Sequence, residues 1–274
     1  SEENLHYVQL TRSFEIMSTE VTQGRYEEIM KWNPSYWADC GPDCPVEYVS
    51  WYDTLAYANE LSLQAGLAPC YEFTNVVCSG EIDVGESYME CMNPTQGGIR
   101  KATVELNGVS SVYDCAGYRL PTESEWEYAA RAGSLTAFYP SEGNDGSIER
   151  KGCASNPSLE QIAVYCGNDS NTPEPVGGKE ANAWYLYDML GNVYEWVWDW
   201  YQSSYPEGDT SSPVIDPEGP ATAERAVAPF RVSRSGAFAL SAELCRSAFR
   251  GKSTPNSSNE PLCGFRLVRS ILNP

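Results

Sequence analysis

Ten cysteines and one histidine set the chemistry open to this chain. Thiolates bind soft metal ions and attack electrophiles, and imidazole serves as general base and metal ligand. His6 is the single imidazole, so any Ser/His/Asp or Cys/His triad would have to be built on it. Zinc sites of the mixed Cys/His kind lack ligands for the same reason, and the cysteine spacings match no tight all-cysteine zinc site. An even number of cysteines fits disulfides made in an oxidising compartment. The expected pairs are Cys40–Cys44, Cys70–Cys115, Cys78–Cys91, Cys153–Cys166 and Cys245–Cys263, although spacing does not fix connectivity. A glycosidase-type carboxylate pair could be drawn from 38 acidic residues, but no motif marks one. The glycine-bearing stretches QAGLAP and PVGGKE lack the phosphate-loop pattern.

Charge narrows the partners. Lys plus Arg is 18 and Asp plus Glu is 38, a formal net charge of -20. Such a chain repels phosphate backbones and anionic lipid, which argues against nucleic-acid and peripheral membrane binding. The surplus carboxylates suit calcium or simply a soluble surface. No apolar run is long enough to span a bilayer. The chain opens SEENLHYVQL, without a charged-then-apolar leader. The expectation is an extracytoplasmic protein, secreted, periplasmic or lipid-anchored, whose signal sequence is absent from this chain.

The elements that would position any site are legible in part. In EVTQGRYEEIMKW, Thr22 is placed to cap a helix whose Tyr26, Ile29 and Met30 share one face. In PVEYVSWYDTLAYANELS, Ser50 and Asp53 form a capping-box pattern before the stripe Trp51, Leu55, Ala58. In RLPTESEWEYAARAG, Thr122 and Glu125 repeat that pattern, Trp126, Ala129 and Ala130 face inward, and Gly133 can end the helix. Strand-like runs cover 14–21, 194–201, 230–236, 244–250 and 264–270. Tyr194, Trp196, Trp198 and Trp200, with Tyr201 after them, read as a buried strand and not as a sugar-stacking platform. Helices early and strands late predict an α+β fold. Residues 70–115 read as a disulfide-rich insertion and 202–229 as a long surface loop, within one domain spanning 1–274.

Six ordered blocks carry a resemblance: EVTQGRYEEIM, PVEYVSWYDTLAYANELS, GYRLPTESEWEYAARAGSLTAFY, NAWYLYDMLGNVYEWVWDWY, FRVSRSG…CRSAFR and CGFRLVRS. Together they resemble the formylglycine-generating enzyme / sulfatase-modifying-factor family over roughly 8–270. The resemblance implies a large, irregular C-type-lectin-like fold with little regular secondary structure, stapled by disulfides. Fold alone does not give function. The family's copper oxidases need two cysteines after a Gly-Gly-Ser motif. Here that motif is Ser235-Gly236-Ala237, and Phe238 to Glu243 contain no cysteine. Cys245 alone lacks the second soft ligand that Cu(I) needs. The family's iron-dependent sulfoxide synthases need a cluster of histidines. The resemblance therefore implies neither copper nor iron, and a non-enzymatic protein.

Other relatives are ligand-binding proteins diversified by retroelements, and they display variable side chains on this same segment. The corresponding ligand-binding residues here are Phe238, Ala239, Leu240, Ser241, Glu243, Leu244, Ser247, Phe249 and Gly251, with Arg246, Ala248 and Arg250 holding the frame. A small, apolar patch on an acidic protein suits a protein or peptide ligand. In YDMLGNVYEW, Asp188, the carbonyls of Gly191 and Val193, and Glu195 match a structural calcium site of the family; hard oxygen donors in a glycine turn suit that ion. On the residues alone, a turn whose carboxylates cap backbone amides, with no ion, is the stronger reading, and the resemblance is what favours calcium. Two other readings remain: an enzyme of the family with unrecognised oxygen- or metal-dependent chemistry, and a structural partner in an envelope complex.

Overall fold

The computed structural model describes residues 6–141, 146, 152–168, 171–206, 208–224, 229–257 and 262–272. In chain order its elements are β1 (Val8–Gln9), β2 (Phe14–Ile16), α1 (Gln23–Met30), α2 (Trp51–Gln64), β3 (Tyr71–Cys78), β4 (Asp83–Gly85), β5 (Ile99–Leu106), β6 (Tyr118–Arg119), α3 (Glu123–Arg131), α4 (Pro157–Glu160), β7 (Tyr194–Trp200), β8 (Val214–Ile215), β9 (Arg231–Arg234), β10 (Gly251–Ser253), β11 (Cys263–Gly264) and β12 (Val268–Ser270). Short strands and long connections make this the irregular α+β architecture that the sequence implied.

The three main helices begin where local chemistry satisfies their first amides. Thr22 accepts the Arg25 N–H, and Ser50/Asp53 and Thr122/Glu125 form complete capping boxes. At the end of α3 the left-handed turn starts at Ala132, one residue before the expected Gly133. The sheets are small: β10-β9-β7-β11, β2-β12-β6, β4-β3-β5 and the parallel pair β1-β8. The segment 70–115 closes at its base through Cys70–Cys115 and folds as the antiparallel β4-β3-β5 sheet. Its Tyr71, Phe73, Val76 and Ile99 join the core beside α2. The long loop 202–229 contains β8; residues 207 and 225–228 lie outside the described residues.

Strand β7 organises the interior because its side chains alternate between two cores. Trp196 is fully buried with Trp51, Tyr26, Tyr57 and Phe265, and Tyr194 and Trp198 pack against that cluster. Val197 points the other way, among Trp126, Phe138, Tyr139, Met189 and Val232. Glu195 and Asp199 share that second face and are buried. The interior also holds arginines: Arg119, Arg234 and Arg266 have no exposed surface. Each is paired, with Glu125, with Glu123 and Glu127, and with Glu195 respectively.

Two expectations need correction. Four of the five disulfides form as expected, but Cys245 and Cys263 are both buried thiols. They sit in different cores, Cys245 beside Val232 and Ala242 and Cys263 beside Val46 and Phe265. The run 244–250 is not a strand. Its amides bond locally, Leu244 to Ser241, Cys245 to Ala242 and Phe249 to Arg246, as a one-turn 3-10 helix (Ala242–Leu244) followed by turns. Strand geometry resumes only at β10.

Candidate functional site

Segment 235–251 is tied down at both ends. Ser235 (φ 81) and Gly236 (φ 83) are both left-handed, and a Cβ on Gly236 would lie 2.8 Å from Cys245 Sγ. The Ser235 hydroxyl donates to the carbonyl of Gly191 (2.8 Å), and the Gly191 N–H donates back to the Ser235 carbonyl (2.7 Å). Phe238 N–H donates to the Asn192 carbonyl, and the Leu240 carbonyl accepts the Cys166 N–H. Glu243 Oε2 accepts the Gly152 N–H at 3.0 Å.

Beyond the turn, Arg234 and Arg250 converge on Glu123 at the start of α3. Arg250 makes two bonds to its carboxylate (2.6 and 2.8 Å), Arg234 one (3.0 Å), and the Tyr205 hydroxyl a fourth (2.9 Å). Asp199 accepts the Glu123 N–H at 2.6 Å. Burial, then the nearby Glu123 charge, pushes the Asp199 carboxyl up to about 8.

The nine residues expected to meet a ligand divide into two groups. Ala239 is exposed, and Leu240, Ser241, Glu243, Leu244 and Phe249 are half-buried, so these six reach the surface. Phe238, Ser247 and Gly251 are buried and present nothing to solvent, contrary to expectation. The Phe238 ring packs edge-on against Trp37 (6.1 Å), the Ser247 N–H donates to the Ala137 carbonyl, and a Cβ on Gly251 would meet Ser233 Oγ at 2.5 Å. Cys245 is fully buried and its thiol is pushed up to about 12 by desolvation. It is protonated at neutral pH and is not a nucleophile there.

The residues the sequence reading missed lie on the 35–48 loop. Tyr36 is 65% exposed and contacts Trp37 and Tyr48, and Trp37 in turn reaches Phe238. The loop is stapled by Cys40–Cys44. The signal available was the aromatic-rich SYWADC leading into that short disulfide.

At the 188–195 turn, Asp188 and Gly191 meet through Ser235, whose hydroxyl touches both carbonyls. Asp188 Oδ2 accepts the Gly177 N–H (2.6 Å). Glu195 is held by Arg266 in a bidentate pair (2.7 and 2.8 Å) and by Trp126 Nε1 (2.7 Å). Glu20 is buried beside them, 4.0 Å from Arg266, and neither of its carboxylate oxygens has a hydrogen bond. Burial raises the Glu20 and Asp188 carboxyls, and their mutual repulsion adds to this at Glu20. Among the described residues, no three His, Cys, Asp or Glu side chains form a metal-ligand group. The donors are of the kind calcium takes, carboxylates and carbonyls: Glu195 pairs with Arg266, Glu20 lies 4.0 Å from it and Asp188 is buried nearby, so the residual negative charge is balanced by protons or a cation.

The model of the sulfatase-modifying factor enzyme 1-like domain matches residues 1–271. The chain belongs to this family. Within the sulfatase-modifying factor family, it is 31% identical over 262 residues to a protein named chaperone protein LppX of Paenibacillus barcinonensis, covering 94% of this chain and 80% of the relative. It is 36% identical over 174 residues to the formylglycine-generating enzyme of Thermomonospora curvata, covering 62% of this chain and 55% of that enzyme. Among solved structures, Treponema denticola variable protein 1 superposes with a TM-score of 0.72 at 29% identity, covering 99% of this chain and 89% of that one. The sulfatase-modifying factor scaffold is thus shared with enzymes and with a variable protein.

Proposed function

We propose that this member of the family is a non-enzymatic binding protein that receives a protein or peptide ligand on the face formed by Ala239, Leu240, Ser241, Glu243, Leu244 and Phe249. One observation carries the reading: the segment brings mostly small and apolar side chains to the surface while its single sulfur, Cys245, is fully buried. The comparisons support it in coarse form. A chaperone and a variable protein align along nearly the whole chain, whereas the formylglycine-generating enzyme of Thermomonospora curvata aligns over 62% of it. In the variable-protein form of this reading, retroelement-driven variation between copies falls on 239–244 and spares Arg234, Gly236 and Arg250. A structural calcium ion belongs to the same reading, held by Asp188, the carbonyls of Gly191 and Val193, and Glu195. Its role would be to pin the turn that carries Ser235. Four disulfides support folding in an oxidising compartment, and we propose a secreted, periplasmic or surface-anchored protein. Among the described residues no helix is long and apolar enough to cross a membrane.

The identity to formylglycine-generating enzymes favours a second reading, an enzyme of the family with its own chemistry. Oxygen uptake with Cu(I) and a cysteine-containing peptide separates the two. Binding alone predicts consumption at the metal-only rate; turnover above it overturns the proposal. A random peptide library panned on the protein supplies the positive arm. Selected peptides should lose binding to Leu240→Arg, a half-buried surface substitution. Selected peptides indifferent to that change would place the ligand elsewhere.

A further inference from the structure

The ligand face has a neighbour that the segment 239–249 alone does not explain. The Trp37 ring meets the buried Phe238 at 6.1 Å, Tyr36 meets Trp37 at 5.2 Å, and Tyr36 meets Tyr48 at 6.3 Å, so the aromatic 35–48 loop packs on the residue that precedes the exposed Ala239. Tyr48 is held at φ 66, a left-handed conformation unusual for a bulky residue. The loop is fixed by Cys40–Cys44 and by the Val176 N–H donated to the Asp43 carbonyl. Beneath it lies Glu47, with no exposed surface. Its Oε1 accepts the Trp37 N–H at 2.8 Å, while Oε2 has no hydrogen-bond partner; the buried Trp37 Nε1 has none either. The same corner is acidic. Asp39 and Asp43 are exposed on the loop. Glu174, next to Val176, is already paired with Lys179 at 3.2 Å.

Partly exposed aromatic rings with the exposed carboxylates of Asp39 and Asp43 on the same loop attract a cation by ring quadrupole and by charge together. We propose that the 35–48 loop is the second wall of the binding face and takes a lysine or arginine side chain of the polypeptide partner on the rings of Tyr36, Trp37 and Tyr48. This rests on the binding reading above and specifies its partner as a cationic segment with apolar residues beside the charge, the apolar part meeting Ala239 and Leu240. A glycan or an acidic peptide fits worse, because the corner offers negative charge.

The test uses the full chain and a phage-displayed library of random 12-residue peptides. Binders are selected on the wild-type protein, sequenced and measured as synthetic peptides against wild type, Tyr36→Ala, the pair Asp39→Asn/Asp43→Asn, and Leu240→Arg. The proposal expects enrichment of Lys and Arg, a loss of about tenfold in affinity on Tyr36→Ala, a similar loss for the double Asn variant, and weaker binding at high salt. Tyr36, Asp39 and Asp43 are exposed, so unchanged melting curves keep the readout a binding one. Peptides that lose Leu240→Arg but carry no cation and ignore Tyr36→Ala overturn this proposal and leave the binding face standing. Peptides indifferent to all three variants overturn both.

Discussion

Glu123 is the side chain whose loss should be felt furthest, and its charge can be removed without changing its shape. Its carboxylate is 5% exposed and lies between Arg250, which is 12% exposed, and Arg234, which is not exposed at all. Glu123→Gln leaves two guanidinium groups facing a neutral amide. Two unit charges about 4 Å apart interact by ~4 kcal/mol at an effective dielectric of 20. Deleting one partner of a buried pair costs roughly 3–5 kcal/mol, because the other charge stays buried. Arg234 retains Glu127 Oε2 at 2.6 Å, and Arg250 is near enough to the surface to regain water. We therefore expect a loss of ~3 kcal/mol. At roughly 2–4 °C per kcal/mol for a chain of this size, the melting midpoint should fall by about 6–12 °C. Urea melts followed by circular dichroism at neutral pH read the first number directly. A cycle with Arg250→Met isolates the pair: the double variant should be about 2 kcal/mol more stable than additivity predicts. A loss below about 1 kcal/mol for Glu123→Gln, with additive single changes, would refute the view that this buried cluster holds the far end of segment 235–251.

Three further outcomes follow from named groups. The folded-state pKa of Asp199 is raised, to about 8, against roughly 3.9 unfolded. The native state therefore holds this proton more tightly, and the group's contribution is full below about pH 4 and is lost progressively as pH rises to about 8, by at most ~6 kcal/mol. Asp199→Asn should flatten that part of the urea-midpoint profile, and an unchanged profile would contradict the assignment. Alkylation without reductant should add two labels in denaturant, on Cys245 and Cys263, and none to the native protein; no labels in denaturant would restore the fifth disulfide. Chelation should lower the melting midpoint and added calcium restore it, with the response weakened in Asp188→Asn; indifference to chelator would remove calcium from the 188–195 turn.

What could be read from the sequence is what local chemistry decides. Thr22, Ser50 and Thr122 cap helices because their partners lie three residues away. The period-two aromatics Tyr194, Trp196 and Trp198 of β7 share one core, as alternate residues of a buried strand must, while Val197 enters the other. The short-range disulfides Cys40–Cys44, Cys78–Cys91 and Cys153–Cys166 join neighbours in sequence. The long-range facts were hidden. Nothing in CRSAFR says that Arg250 seeks a glutamate 127 residues earlier, which holds the run in turns and not in a strand. Nothing near Cys245 or Cys263 says that they belong to different cores. Phe238 looked displayed because its partner, Trp37, is two hundred residues away in the chain.

The arrangement around 235–251 separates two roles within one short segment. Its anchors are buried and strongly held: Ser235 on Gly191, Gly236 against Cys245, and Arg234 and Arg250 on Glu123. Between them, the backbone of 239–244 is fixed by the Cys166 N–H donated to the Leu240 carbonyl, by the Ala242 N–H donated to the Gly152 carbonyl and by the local turn, so its course depends little on the side chains at 239–241 and 244. Side chains at Ala239, Leu240, Ser241 and Leu244 can therefore change without moving the main chain, and surface changes of this kind are usually worth less than about 0.5 kcal/mol. A change at Gly236 forces a Cβ into Cys245 and costs far more. A segment built this way keeps its shape while its surface chemistry varies, which is the physical requirement for a binding face and is not needed for a fixed catalytic pair. Substituting 239–241 together should leave the melting midpoint within a few degrees of wild type, while Gly236→Ala should lower it sharply. If the two behaved alike, the segment would be ordinary packing and the binding reading would lose its structural basis.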